Sequence, residues 1–290
     1  MPETATPSSK VWFLTGASRG FGLEIVRAAL SRGDRVVATA RRAGQIRDQL
    51  PDAGAALHAV DLDVTDAGQV ARAVEAGVEA FGRIDVVVNN AGRGLLGAVE
   101  EASDAAVRAV YEVNVFGTLN VLRAVLPTLR RQRAGHVINI SSVGGLLGSA
   151  GWGIYNSTKF AVEGFSEALA KELKPLGISV TIVEPGYFRT DFLDASSLGT
   201  EETVIADYQA TAGAMRARAL DVNHAQPGDP VKAAAAIVDV AAAPEPPLHL
   251  LLGTDCVEAV EEHTRQLIAD IEAWRHVSTS TDHDLAAPSR

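Results

Sequence analysis

Short apolar runs alternate with longer stretches of helical period along most of the chain. "KVWFLT" is strand-like and leads through "TGASRGFG" into the helical pattern "FGLEIVRAALSRG", closed by Gly33. "RVVATA" reads as a second strand, "RRAGQIRDQL" as a helix and "ALHAVDLDV" as a third strand. "DAGQVARAVEAGVEAFG" predicts an amphipathic helix, N-capped by Asp66 or Thr65 and ended by Gly82. "IDVVVNNAG" gives a fourth strand and its turn, residues 103–130 a long helix, and "HVINISS" a fifth strand. A helix over 151–174 and the sixth strand "ISVTIVEPG" follow. Buried strands alternating with helices predict βαβ units, a parallel sheet covered on both faces.

The rhythm breaks after Gly186. Residues 187–225 offer no obvious strand, only a loop and a helical stretch at "EETVIADYQATAGAMRARAL", and a substrate lid fits there. A helix at "DPVKAAAAIVDVAAA", a seventh strand at "PLHLLLG" and a final helix over 255–277 complete the pattern. The expected class is α/β: one doubly wound Rossmann-type domain over residues 10–275, with about seven parallel strands. Residues 1–9 read as a flexible N-terminus and 276–290 as a polar tail.

Composition narrows the class. The 290 residues are 47% hydrophobic and 21% charged, enough for a large core. A net charge of −10 without a long basic run argues against nucleic acid and against an anionic membrane surface. The lone Cys256 can form no internal disulfide or cysteine-based metal site, and reads as a buried small hydrophobe. The polar N-terminus has no signal-peptide core and no apolar run is long enough to span a bilayer, so the expected location is the cytoplasm.

The glycine turn is the first chemical feature. In "TGASRGFG", Gly16 permits a tight turn, Gly20 a close backbone approach to pyrophosphate, and Gly22 close helix packing. The helix N-terminus that follows offers free N–H groups to phosphate. Alone, the motif is also compatible with a plain strand-to-helix turn. The second feature is Tyr155 and Lys159 in "GIYNSTKF", one helical turn apart on one face. A nearby ammonium favours phenolate and lowers a tyrosine pKa from its usual value of about 10.

Together these motifs resemble the short-chain dehydrogenase/reductase family. The match rests on T-G-x-x-x-G-x-G at Thr15–Gly22, "NNAG" at Asn89–Gly92, "NISS", "YNSTK" and "PGYFRT", in family order over about residues 10–190. "SSVGGLLG" and "YNSTKFAVEGFSEALAKEL" resemble its hydroxysteroid- and retinol-dehydrogenase-like branch. The resemblance implies Tyr155 as general acid/base, Lys159 as the group that tunes it and holds the nicotinamide ribose, and Ser142 as donor to the substrate oxygen. Ser141 would point to the opposite face of its strand. Asn114, in "VNVFGT", would hold a water that links Lys159 to solvent.

The same resemblance assigns a nicotinamide cofactor to Gly16, Ser18, Arg19, Gly20 and Phe21, with Asn90, Ala91 and Gly92 beside the adenosine ribose. Asp63 and Val64 would meet the adenine, with Asp61 a nearby rival. Pro185, Gly186 and Thr190 would border the nicotinamide. The second strand ends without an acid and runs into Arg41 and Arg42, and Arg19 lies in the glycine turn. An acid there favours NAD, whereas arginines accommodate a 2′-phosphate, so NADP(H) is expected over NAD(H). No metal is expected.

Val143, Trp152, Tyr187 and Phe188, with Leu95, Gly144 and Phe192, are candidate pocket residues that suit a mainly hydrophobic carbonyl compound or secondary alcohol. Ser157 and Thr158 depart from the family's Y-x-A-S-K, and the loop before the tyrosine lacks the family's frequent proline. "VFGTLNVLRAVLPTL" is apolar on nearly every face, which with the 151–174 helix predicts a homodimer or homotetramer. Two other readings use the same fold: a non-catalytic NADP(H)-sensing regulator, and a dehydratase or epimerase. The full set of four candidate catalytic residues ranks the enzyme above the sensor. The compact length counts against the epimerase.

Overall fold

A computed structural model describes residues 9–201 and 203–283. Most of the expected N-terminal segment and the end of the expected tail lie outside these residues. Seven parallel strands form one sheet: β1 (Val11–Thr15), β2 (Arg35–Ala40), β3 (Leu57–Asp61), β4 (Val86–Asn89), β6 (Gly135–Ile140), β7 (Ile178–Pro185) and β9 (His249–Leu252). Their spatial order is β3-β2-β1-β4-β6-β7-β9. The chain therefore winds outward one way from β1 to β3, and the other way from β4 to β9. Ligands of such sheets bind at the carboxyl ends of the strands where the winding reverses, here between β1 and β4.

Every residue of β1 is buried, as expected of a strand covered on both faces. Trp12, Leu14, Val36, Ala38, Val86 and Val88 pack under α1 (Gly20–Ser31) and α8 (Pro230–Ala242). Phe13, Val37, Val87 and Val137 face α3 (Ala67–Phe81), α5 (Thr118–Gln132) and α6 (Gly153–Leu173) on the other side. Asp66 caps α3 by accepting the Gln69 N–H at 2.9 Å, which decides between the two cap candidates.

A buried polar ladder fixes α6 on the sheet. Asn89 Nδ2 donates to Asn139 Oδ1 at 2.8 Å, and Asn139 Nδ2 donates to Ser166 Oγ at 2.8 Å. These directional bonds set the depth and rotation of the helix that carries Tyr155 and Lys159.

The remaining elements are α2 (Gly44–Gln49), the short strand β5 (Gly94–Leu96), α4 (Asp104–Tyr111), the short strand β8 (Leu198–Thr200), α7 (Ala214–Val222) and α9 (Thr254–Thr279). Three differ from the sequence reading. The segment 187–225 does contain a strand, because β8 pairs in parallel with β5. The long helix over 103–130 is α4 and α5 joined by a π-helical turn, Glu112–Gly117, and Asn114 lies within that turn. The final helix runs to Thr279, so the expected tail begins as helix. Cys256 is fully buried. Among the described residues no helix is long and apolar enough to cross a membrane.

Candidate active site

A cleft of about 810 Å³ opens at the carboxyl ends of the strands. The glycine turn forms one wall. Gly16 has φ +68° and Gly20 φ +54°, both in the left-handed region that suits glycine. A Cβ on Gly22 would lie 2.2 Å from the Gly16 carbonyl oxygen, so the turn and helix pack too closely for any side chain there. The start of α1 has no side-chain cap, and its first turn carries no acid. Its N–H groups are thus available to an anion, and this cradle fits a pyrophosphate.

Asn90 ties that wall to β4. Its Nδ2 donates to the Thr15 and Gly16 carbonyls at 2.9 and 3.0 Å. Thr15 Oγ1 in turn accepts the Asn90 and Ala91 N–H groups, both at 3.1 Å. The Asn90 side chain therefore braces the glycine turn, and it leaves its backbone and Ala91–Gly92 along the cleft.

The opposite wall comes from β6 and α6. Lys159 Nζ donates to the Ile140 carbonyl at 2.8 Å and lies 5.8 Å from the Tyr155 ring centroid. Both side chains are buried. Burial pushes Lys159 down to about 8, while Glu163, one turn further on, pulls it back up. Burial also raises Tyr155 well above its ordinary value, against a lowering from Ser142 and with a smaller raising from Tyr187. With the protein's own groups alone, burial of the phenol is the largest influence on it. Desolvation wins.

Ser142 Oγ accepts the Gly144 N–H at 3.1 Å, which leaves its hydroxyl hydrogen free to donate. Trp152 stands edge-on to Tyr155 at 5.6 Å and stacks on Phe192 at 6.4 Å, so two aromatic side chains flank the phenol.

The sequence profile of the short chain dehydrogenase family matches residues 10–201. The chain belongs to the short-chain dehydrogenase family. An oxidoreductase of Botryotinia fuckeliana, BOA17, is 43% identical over 274 residues, 94% of this chain and 99% of that protein. A 3-ketodihydrosphingosine reductase of Bacteroides thetaiotaomicron is 36% identical over 84% of this chain and 88% of its own length. A short-chain dehydrogenase structure from Streptomyces avermitilis superposes with a TM-score of 0.89 at 41% identity, covering 95% of this chain and all of that one. More distant structures, each 26% identical, hold NAD in one case (TM-score 0.78, covering 97% of this chain and 98% of that one) and NADP in another (0.70, 84% and 96%). The protein is thus an oxidoreductase of this family, with the fold of its nicotinamide-binding members.

Within that family frame, the cleft collects nearly every residue singled out in the sequence. Ser18, Arg19, Gly20, Phe21 and Arg41 line it on the β1–β2 side, with Asp63 and Val64 beyond. Asp61 is turned to other work, accepting the Ala43 N–H at 2.6 Å. Ser142, Val143, Trp152, Tyr155 and Lys159 line the other side, and Pro185, Gly186, Tyr187, Phe188 and Thr190 close the end. Leu95 and Asn114 are exceptions: Leu95 is buried in β5 and does not line the cleft, and Asn114 lies one layer back. Its Oδ1 accepts the Arg93 N–H at 2.9 Å, and its Nδ2 donates to the Arg93 carbonyl at 2.9 Å and to Thr158 Oγ1 at 3.0 Å. Asn114 thus braces the strand-end loop against α6, and its amide hydrogens are already engaged.

Three features escape a reading of the sequence. Arg19 reaches across the cleft to Ser196 Oγ at 2.6 Å and Ser197 Oγ at 2.7 Å. Gln226 lines the cleft fully buried, with neither amide atom hydrogen-bonded. Glu101 accepts from Arg216 at 2.6 and 3.3 Å, and from the Ala98 and Ile205 N–H groups, which fastens α7 to the loop after β5. No spacing rule links residues so far apart in sequence.

Behind Lys159 lies a buried carboxylate pair. Glu184 accepts from His249 Nδ1 at 2.7 Å and from the Leu250 N–H at 2.9 Å, and Glu163 Oε2 is 3.8 Å from the same imidazole nitrogen. Burial holds both carboxyls above the usual range, Glu163 up to about 7. A raised carboxyl keeps its proton in the folded state where the unfolded chain releases it. The stability this contributes is complete below about pH 4.5 and is lost as pH rises through about 7. Melting curves at pH 5 and pH 8 are therefore expected to fall further for wild type than for Glu163→Gln, by on the order of 3 °C. Equal falls would contradict the assignment.

Proposed function

We propose that the protein is an NADP(H)-dependent carbonyl reductase or alcohol dehydrogenase acting on a mainly hydrophobic small molecule. The observation that carries the reading is convergence: Tyr155, Ser142 and Lys159 face one cleft with a glycine turn and an uncapped helix N-terminus.

Bound in that cleft, the nicotinamide would supply or accept the hydride. The protein's own groups manage the oxygen. In reduction, hydride adds to the carbonyl carbon and the C=O π pair moves to oxygen. Tyr155 then gives its phenolic proton to that oxygen, and Ser142 donates a hydrogen bond to it. Oxidation runs the same steps backwards. The Lys159 ammonium favours the phenolate left behind and can be reprotonated near neutrality, given its depressed value of about 8. Positive charge on an oxidised nicotinamide offsets the desolvation that raises Tyr155. The aromatic wall of Trp152, Phe192 and Tyr155 excludes water and favours an apolar substrate. Residues 187–225 act as the lid, fastened through Glu101 and Arg216.

The choice of NADP(H) rests on Arg41, which borders the cleft at the end of β2 where no acid stands. Arg19 can join it by exchanging its two serine partners for phosphate oxygens. Arg41→Ala is expected to weaken NADPH about 10-fold or more, and NADH by less than about twofold, as measured by kcat/KM for each cofactor. An unchanged preference, or an NADH preference in wild type, would sink the assignment. The subunits are proposed to pair through α5, with the π turn that precedes it, and α6, where Phe116 of the turn and Phe160 of α6 are each 47% exposed.

The direct test follows nicotinamide absorbance with both cofactors against ketones, aldehydes and secondary alcohols. Turnover of apolar members with NADPH supports the reading. Tight NADPH binding without turnover across a broad panel would make the protein a sensor.

A further inference from the structure

The last helix leaves the body. Within α9 only Cys256 is buried, and every residue from Glu261 to Thr279 is exposed. At 1.5 Å per residue this is a projection of roughly 28 Å. It is not polar. Leu267, Ile268, Ile271, Trp274 and Val277 are 43% to 64% exposed, and they make up much of the large apolar surface this protein leaves open. A helical segment that meets no other element among the described residues is marginal in water, and its apolar stripe requires a cover.

The stripe has a defined period. Val257, Val260, Thr264, Leu267, Ile271 and Trp274 follow one another at alternating intervals of three and four residues. That is the repeat of a coiled-coil seam, in which each side chain enters a hole on a facing helix of the same period. Glu261, Ile268 and Arg275 flank the seam on one edge, one position after Val260, Leu267 and Trp274.

Charge sets the direction. Asp255, Glu258, Glu261 and Glu262 precede any lysine or arginine in α9, whereas in the later part Arg265 and Arg275 balance Asp270 and Glu272. Parallel pairing would stack the acidic ends on each other. Antiparallel pairing sets Glu261 against the partner's Arg275 at both ends of the seam, and it opposes the two helix dipoles favourably. It also keeps the two bodies at opposite ends. Within each helix Arg275 already pairs with Glu272, so the new contact extends an existing ion pair.

We propose that α9 is an interface for a second copy of this chain, the two helices packing antiparallel as a two-stranded coiled coil. Leu267 then meets the partner's Ile271, Thr264 meets the partner's Trp274, and Ile268 lies beside its own counterpart at the two-fold axis. This surface is separate from the α5–α6 faces, so it stands whether or not those also pair, and whatever the enzyme's substrate.

The test is the mass in solution of the full chain by light scattering at micromolar concentration, for wild type and for Leu267→Glu/Ile271→Glu. Both positions are exposed in the single chain, so melting temperature and NADPH binding serve as controls for folding. The proposal predicts that the variant's mass is half that of wild type. Ile268→Cys should form a disulfide-linked dimer on mild oxidation, because the native Cys256 is buried. Equal masses for wild type and the double variant would overturn the interface. A halved mass without the Ile268→Cys cross-link would overturn the antiparallel direction. Co-sedimentation of wild type, but not the variant, with phosphatidylcholine vesicles at unchanged mass would assign the stripe to a lipid surface instead.

Discussion

Tyr155→Phe is expected to lower kcat for NADPH-dependent carbonyl reduction by about 10²–10⁴-fold, with little change in NADPH binding. The substitution removes one oxygen from a buried ring held between Trp152 and Phe192 and leaves the aromatic packing in place. It removes the proton donor, and the negative charge on the substrate oxygen must then be met by Ser142 alone. The phenol's polar neighbour is Ser142 within the cleft, and burial already penalises its ionised form. The melting temperature should therefore stay level or rise. Steady-state rates with cofactor titration by fluorescence separate the two effects. A Phe variant that keeps most of its rate would remove Tyr155 from the chemistry. One that loses rate only through unfolding would show it in the melt.

The second large effect is expected at Gly22. A Cβ there would sit 2.2 Å from the Gly16 carbonyl oxygen, 2.9 Å from its carbonyl carbon and 2.6 Å from Asn90 Nδ2. Two of these atoms are backbone, and the third holds the turn closed, so no side-chain rotation relieves the clash. Gly22→Ala must push α1 away from the turn that cradles the phosphates. We expect a loss of about 1–3 kcal/mol in stability and at least about 10-fold in NADPH affinity. Gly164→Ala is the matched control. It adds the same methyl on α6 where nothing lies within 4 Å, and it should raise the melting temperature slightly and leave cofactor binding unchanged. If the two variants bind NADPH alike, close packing at Gly22 is not what shapes the site.

The parts of this fold that were legible in the sequence are those set by local pattern. Strands such as β1 and β4 are apolar on both faces and short, and the helices between them have a clear stripe, so the parallel sheet follows. Tyr155 and Lys159 were legible because one helical turn brings them together wherever the helix lies. The family motifs added Ser142 and the glycine turn. What was missed depends on distant partners. β8 exists only because β5 pairs with it, about a hundred residues earlier. Arg19 looks free until Ser196 and Ser197 come across to meet it, and Glu101 looks like a surface acid until Arg216 covers it. The π turn at Glu112–Gly117 keeps a helical pattern of side chains, so periodicity cannot reveal it, yet it sets where Asn114 points. The side-chain bonds of Asn114 to Arg93 and Thr158, which brace the loop against α6, depend on that turn and were not legible either.

Lys159 illustrates a further limit. Its spacing from Tyr155 is legible, but the depth at which both groups are buried, which shifts each of them, is a property of the assembled cleft. The same assembly puts Glu163 one turn behind Lys159, where it restores part of the lost basicity. The apolar stripe of α9 was visible as a helix with hydrophobic residues. Only the fold reveals that this helix finds no cover among the described residues.

Transfer of deuterium from NADPH labelled at the nicotinamide C4 to an apolar ketone, read by mass spectrometry of the alcohol product, tests the central claim most directly. The account predicts an alcohol one mass unit heavier with wild type, formed faster from labelled NADPH than from labelled NADH, and nearly none with Tyr155→Phe. Tight binding of NADPH with no deuterium in any alcohol, across ketones and aldehydes alike, would contradict it.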